Sequence, residues 1–406
     1  MADARLRHLS LVLLALVAVL AVAADIALVR SGEALIPVLF WAAMIGVAHA
    51  VTIPTPSGKP ANAAVVPAIA AAVLLPATVP VLAAIASGLI VGWIVVRSRA
   101  RNRSGADSGY AADAVSLVAL GLVTPVLLEA LTGSPLSQSW QRLAAITGGA
   151  LVWFVVRALI STWVGVEREH LSTRYLWLLA LEDWTVALVL VTTGSLFVVT
   201  LDAMGVWSVV LAAMTYALGY LALLRVNQSR STYVQMIRAL AQISEIADLA
   251  PRGHSVRTAE LAVAVAREMG LRPDDVVDLE YAALMHDVGR ITLTEPALTS
   301  AGYTDDDIAR RGAEIIAEAP HLDAVAGYVR MQHHPYRRPG EATDPDVPTV
   351  SKIIKVASAY DQAVHEMHMS PLEALERIHR GSAYDFDPTV AASLRRVLVR
   401  RRVVAA

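Results

Sequence analysis

Between residues 9 and 225 apolar positions come in long runs separated by short polar breaks, and beyond Asn227 the pattern changes to mixed polar and apolar positions at helical spacing. About 20 consecutive apolar residues let a helix cross the hydrocarbon core of a bilayer. Eight such runs are readable, at residues 9–29, 35–52, 61–77, 79–96, 111–131, 143–166, 175–199 and 206–224. Ser31, Gly32 and Glu33 supply the first turn, and Pro76, Thr78 and Pro80 break the chain between the third and fourth runs. The pattern therefore predicts a polytopic bundle of about eight transmembrane helices over residues 1–225.

Residues 227–249 carry Met236, Leu240, Ile243 and Ala247 at alternating spacings of four and three. That stripe predicts an amphipathic connecting helix over residues 226–250, able to pack on its own soluble domain or to pair with a second copy as a homodimer. Residues 251–406 read as helical throughout. Helices are expected at 255–269, ending at Gly270, and at a segment capped by Asp274 or Asp275 and running into His286 and Asp287. Others follow at 305–318, 324–332, 350–367, 371–380 and 388–396, with no convincing alternating strand. The fold class is accordingly all-α, a membrane bundle followed by a helical soluble domain.

Composition sharpens this reading. A hydrophobic share of 56% and a mean hydropathy of +0.53 exceed what a soluble chain carries. A net charge of -2 argues against nucleic acid as a partner, because phosphate backbones demand clustered cations. The chain has no cysteine, so any metal must be held by His, Asp or Glu. Arg5, Arg7, Lys59, Arg97, Arg99, Arg101, Arg103, Arg168, Arg174, Arg225 and Arg230 fall on one side if the spans number eight, whereas the breaks near Gly32, Gly133 and Asp202 carry little positive charge. By the positive-inside rule both termini are expected in the cytoplasm, with the chain in the inner (cytoplasmic) membrane. Arg157, Glu182 and Asp183 lie within apolar runs, where they imply an internal ion pair, a snorkelling side chain, or a site for a sensed ligand or ion.

In the soluble part the polar residues that stand out are His254, the His286-Asp287 pair and the His333-His334 pair. Imidazole and carboxylate at the end of an apolar helix are costly to bury without partners, and a divalent cation satisfies both. Gly-His-Ser-Val-Arg at 253–257, Ala-Ala-Leu-Met-His-Asp-Val-Gly-Arg at 282–290, His-His at 333–334, Ser-Ala-Tyr-Asp at 358–361, and Gly381 with Phe386-Asp387-Pro388 together resemble the HD superfamily of metal-dependent phosphohydrolases, and its HD-GYP branch in particular. That branch hydrolyses cyclic di-GMP.

The resemblance implies a divalent metal centre, of Mn, Fe or a similar ion, with one or two ions. Its expected ligands are His254, His286, Asp287, His333, His334 and Asp361. Asp287 and Arg290 are expected in catalytic roles, with Arg290 meeting substrate phosphate in place of the family's usual Lys. The implied partner is a phosphate-containing small molecule such as a cyclic dinucleotide, beside the lipid bilayer itself. The sequence also departs from the family pattern. Gly-Tyr-Pro is missing after the paired histidines, where Pro335 to Glu341 stand instead. Ile308 occupies a ligand register, Ser358 stands where the last Asp ligand is expected, and Pro335 replaces the usual Glu. These departures imply the alternative of a catalytically degenerate HD domain that binds a nucleotide or partner as an output module.

Overall fold

A computed structural model describes residues 35–53, 55, 61–99, 103–169, 171–246, 251–294 and 304–404. The chain divides into two compact units, Met1–Gln228 and Ser229–Ala406. Regular structure is helical apart from one two-stranded antiparallel pairing in the first unit, in which β1 (Thr52–Ile53) meets β2 (Ala61–Asn62) with Thr52 opposite Asn62. The all-α expectation stands.

In the first unit α1 (Leu35–Ala48) precedes the strand pair, and α2 (Val65–Leu74), α3 (Thr78–Arg99), α4 (Arg103–Leu131) and α5 (Gln138–Glu169) follow it. Next come α6 (Thr173–Glu182), α7 (Trp184–Met204) and α8 (Trp207–Ile246). Among the described residues five segments are long and apolar enough to cross a membrane: Thr78–Ser98, Gly109–Leu131, Gln138–Glu167, Thr173–Met204 and Trp207–Ala239.

Five of the eight expected spans, at 79–96, 111–131, 143–166, 175–199 and 206–224, coincide with these segments. The first, at 9–29, lies outside the described residues, as do Arg5, Arg7, Gly32, Lys59, Arg101 and Ala247. The second and third are helices of 14 and 10 residues, or about 21 and 15 Å at 1.5 Å per residue, against roughly 30 Å of hydrocarbon. The third stops early because Leu75 is extended, at ψ 145°, the conformation that a following proline favours. It starts late because the chain first pairs as β2, and the Asn62 side chain accepts from the Ala64 amide at 3.1 Å.

Small residues let these helices approach closely. α2 is buried on nearly every side through Val65, Ala68, Ile69, Ala70, Ala71 and Ala72. Where α1 crosses α3, a methyl on Gly88 would lie 2.8 Å from the Ala42 carbonyl oxygen. Large apolar side chains such as Ile36, Phe40, Leu218 and Leu221 instead point outward, an arrangement suited to lipid. Arg157 on α5 pairs through Nε with Asp113 Oδ1 on α4 at 2.9 Å, and Asn62 Nδ2 donates to Asp113 Oδ2 at 2.5 Å. Arg157 thus has an internal partner, Asp113, that sequence reading did not single out. Asp183 is the buried residue at the break between α6 and α7.

The second unit comprises α9 (His254–Met269), α10 (Pro273–Met285), a 3-10 segment (Val288–Thr294), α11 (Asp305–Ala317), α12 (Asp323–Arg330), α13 (Thr349–His365), α14 (Pro371–Arg380) and α15 (Pro388–Arg400). α10 begins at Pro273 with no side-chain cap, and Asp274 and Asp275 sit in its first turn rather than at the cap, where they still complement the helix dipole. α9 packs against α10, α13 and α15, and Ala262, Val265, Leu279, Ile353, Ile354 and Leu394 form the buried interior. On α8 the buried positions in this unit are Ile237 and Ala241, one turn apart, while Met236 is 59% exposed. The side chains of Leu240, Ile243 and Ala247, which complete the expected stripe, lie outside the described residues.

Candidate metal centre

Three helices deliver the polar residues. Gly253 takes a left-handed conformation, φ 74°, which turns the chain so that His254 opens α9 with its side chain fully buried. His286 ends α10 and Asp287 follows it, both buried. Ser358 and Asp361 lie one turn apart on α13 and are also buried.

The hydrogen-bond partners assign the imidazole tautomers. His254 Nδ1 lies 2.7 Å from Asp361 Oδ2, and His286 Nδ1 lies 2.8 Å from the Ala283 carbonyl oxygen. A carboxylate and a carbonyl can only accept, so each ring carries its proton on Nδ1 and keeps a lone pair on Nε2. Those two Nε2 atoms face one another at 3.2 Å. Asp287 Oδ2 lies 3.5 Å from His286 Nε2 and 3.9 Å from His254 Nε2, and it has no hydrogen-bond partner. Two lone pairs and a carboxylate oxygen so placed repel one another unless a cation sits between them.

A proton is a poor occupant, because burial holds the His286 imidazole below its ordinary value despite the nearby Asp287 charge. Burial also pushes the Asp287 carboxyl upward, but His286 and then Arg290 outweigh it and hold the group at about 2. The carboxylate is thus charged at neutral pH. Arg290 Nε stands 2.8 Å from Asp287 Oδ1, as an ion pair whose N–H is not aligned for a hydrogen bond. Two imidazoles and one carboxylate are a donor set suited to Zn, Mn or Fe. His254, His286 and Asp287 form one group whose ligand atoms all lie within 4.8 Å of one another, so the residues fit the ion.

Residues 252–363 match the family model described as HD domain. The chain carries an HD domain. No curated protein matches the chain. Among solved structures, the chain is similar to a protein titled as a cyclic GMP-AMP specific phosphodiesterase of V. cholerae, at 19% identity and a TM-score of 0.35. That likeness covers 42% of this chain and 49% of the other, so the chain spans about half the length of that structure.

Within the HD domain the expected site residues separate into two groups. His254, His286 and Asp287 converge. Asp361 stands behind them, where Arg257 grips it through Nε at 2.8 Å and Nη2 at 2.9 Å, His254 Nδ1 lies 2.7 Å from Oδ2 and His365 Nδ1 lies 3.0 Å from Oδ1. A carboxylate held by arginine and bonded to His254 Nδ1 fixes that ring's orientation.

His333 and His334 follow α12, and their carbonyl oxygens accept from Lys355 Nζ at 3.1 and 3.2 Å. Their imidazoles do not join the three-residue group. Burial keeps His333 below its ordinary value, and Asp305 and then Asp287 act on it in the opposite direction. His334 lines a cavity of about 350 Å³ with Asp306, Asp307, Arg310, Glu314 and Arg330. Ile308 is buried in the register where the family pattern expects a ligand.

Two supporting residues escaped sequence reading. Gln332 is buried and its Nε2 donates to the His286 carbonyl oxygen at 2.8 Å. Arg257 belongs to the Gly-His-Ser-Val-Arg stretch, but nothing in its spacing discloses that it holds Asp361, 104 residues away.

Proposed function

We propose that this chain is a membrane-anchored phosphohydrolase whose HD domain binds a divalent cation on His254, His286 and Asp287 and hydrolyses a nucleotide phosphoester. The observation that carries the reading is the approach of two unprotonated Nε2 atoms to 3.2 Å beside a buried carboxylate oxygen that lacks a partner. When bound, a divalent cation supplies Lewis-acid polarisation of the phosphoryl group. The protein's own groups do the rest. Asp361 and Arg257 hold the His254 ring, Ala283 and Gln332 hold His286 and its carbonyl, and burial of the donors keeps bulk water away from them.

Arg290 neutralises Asp287 on one side, and its side chain stays 28% exposed, which leaves the guanidinium open to a substrate phosphate. Cyclic dinucleotides are the first substrate class to test, on the strength of the sequence resemblance. The apolar helices supply the anchor. Arginines after α3, around the α5–α6 turn and at Arg225 support an inner-membrane chain with its HD domain in the cytoplasm.

Ser358 and Ile308, which stand in ligand registers, favour a second reading in which the domain binds a nucleotide without turning it over. The full chain, purified in detergent and supplied with Mn²⁺, should release product from a panel of mononucleotide and cyclic dinucleotide esters. His286→Ala and Asp287→Asn should each reduce release to background. Turnover that survives both substitutions defeats the proposal, and nucleotide binding without turnover establishes the second reading.

A further inference from the structure

Ser358 has a place in this site that its residue type does not announce. Its Oγ lies 3.3 Å from His254 Nε2 and 3.4 Å from His286 Nε2, and the residue is 8% exposed. With the 3.2 Å between the two nitrogens, these atoms form a nearly equilateral triangle. For a cation bound tetrahedrally at about 2.0–2.1 Å from nitrogen, the ligand atoms are separated by about 3.3 Å. Asp287 Oδ2, at 3.5 and 3.9 Å from the same nitrogens, is near enough to supply a further donor. A hydroxyl has one proton and two lone pairs, so Ser358 can face a cation while its proton points elsewhere.

The surroundings that would hold a second cation are already engaged. Asp287 would have to bridge two ions through both oxygens, yet the Arg290 guanidinium stands 2.8 Å from Oδ1, and a fixed positive charge there opposes another cation. Asp361, one turn beyond Ser358, has both oxygens taken by Arg257 and His254. Among the described residues a single group of His, Asp and Glu side chains converges in this way.

We infer that the HD domain holds one divalent cation, not a pair, and that the Ser358 hydroxyl is its fourth protein donor. The inference rests on the metal-binding reading above and adds the number of ions and an uncharged ligand. One acid fewer leaves the bound ion with a larger net positive charge, which favours an anionic phosphoester over a neutral substrate.

The test uses the full chain in detergent, stripped with chelator and titrated with Co²⁺, with bound metal counted per chain and visible absorption recorded. One ion per chain with the intense absorption of four-coordinate cobalt is expected. Ser358→Ala should weaken binding by about 10–100-fold and change the spectrum, and Ser358→Thr, which keeps the hydroxyl, should restore both. Two ions per chain, both lost in His286→Ala, overturn the inference and leave the proposed function standing. Unchanged affinity and spectrum in Ser358→Ala overturn the serine's role. Binding that ignores His286→Ala removes the metal-binding reading itself. Thermal unfolding of Ser358→Ala checks that it folds, and if it does not, the unsubstituted chain's stoichiometry and the threonine variant decide.

Discussion

At Gly289 a single methyl group would meet two backbones. A Cβ there would lie 2.0 Å from the Ile308 carbonyl oxygen and 2.8 Å from the Gly312 nitrogen, so the 3-10 segment and α11 meet backbone to backbone at this point. Neither neighbour can rotate aside as a flexible side chain would. Gly289→Ala should therefore destabilise the chain by about 1–3 kcal/mol. Because Asp287 and Arg290 flank the glycine, it should also weaken metal binding. Thermal unfolding and a Co²⁺ titration of the variant check both effects, and two unchanged curves would refute the contact. At this scale the His286-Asp287 pair was legible, since an imidazole and a carboxylate closing an apolar helix call for a partner. The roles of Gln332, Arg257 and Ser358 were not, because each depends on a residue far away in sequence.

Helix ends in the second unit are secured by reciprocal capping. Ser370 Oγ accepts from the Glu373 amide while the Glu373 carboxylate accepts from the Ser370 amide at 2.8 Å, and Thr304 and Asp307 do the same for α11. The Ser370 backbone amide, and then its hydroxyl, hold Glu373 below its ordinary value of 4.5. The Thr304 hydroxyl, and then its amide, lower Asp307 from 3.8.

A carboxylate whose folded value is depressed is protonated first in the unfolded chain. Its stabilisation is full above the ordinary value and is lost as pH falls through the folded one. The thermal midpoint of the chain should thus drop as pH falls below about 4.5. Glu373→Gln, which cannot titrate, should narrow its gap from the unsubstituted chain over the same range. A gap that stays constant between pH 6 and pH 3 would count against the cap's charge. Helix positions were largely readable from spacing, with α14 found at its expected bounds. The start of α10 was misplaced because Pro273 satisfies a first helical position without needing a side-chain cap.

On the scale of the whole molecule, the apolar half is organised around a polar link as well as by close packing. Asp113 joins β2 through Asn62 and α5 through Arg157. Removing the acid alone takes from a largely buried guanidinium its hydrogen-bonded counter-charge and leaves it only Asp183, which costs on the order of 3 kcal/mol, whereas replacing both partners with apolar side chains is close to neutral. Asp113→Ala should lower the thermal midpoint of the detergent-solubilised chain, and the double change Asp113→Ala with Arg157→Met should recover most of the loss. A double variant no better than the single one would show that the pair is not what stabilises this unit.

The amino-acid sequence by itself determined that the chain is helical, that its first half is apolar enough for lipid, and that a histidine-rich soluble part follows. Each of these rests on local spacing and composition, which neighbours along the chain suffice to express. Tertiary structure alone decided that within 61–77 the chain first pairs as β2 and then forms the short buried helix Val65–Leu74. It also decided that Arg157 answers to Asp113, that Asp361 bonds to His254 Nδ1 and Arg257, and that Ser358 faces the two Nε2 atoms. Those outcomes depend on which side chain reaches a partner first across 104 residues of chain for Arg257 and Asp361, and periodicity carries no record of such distances.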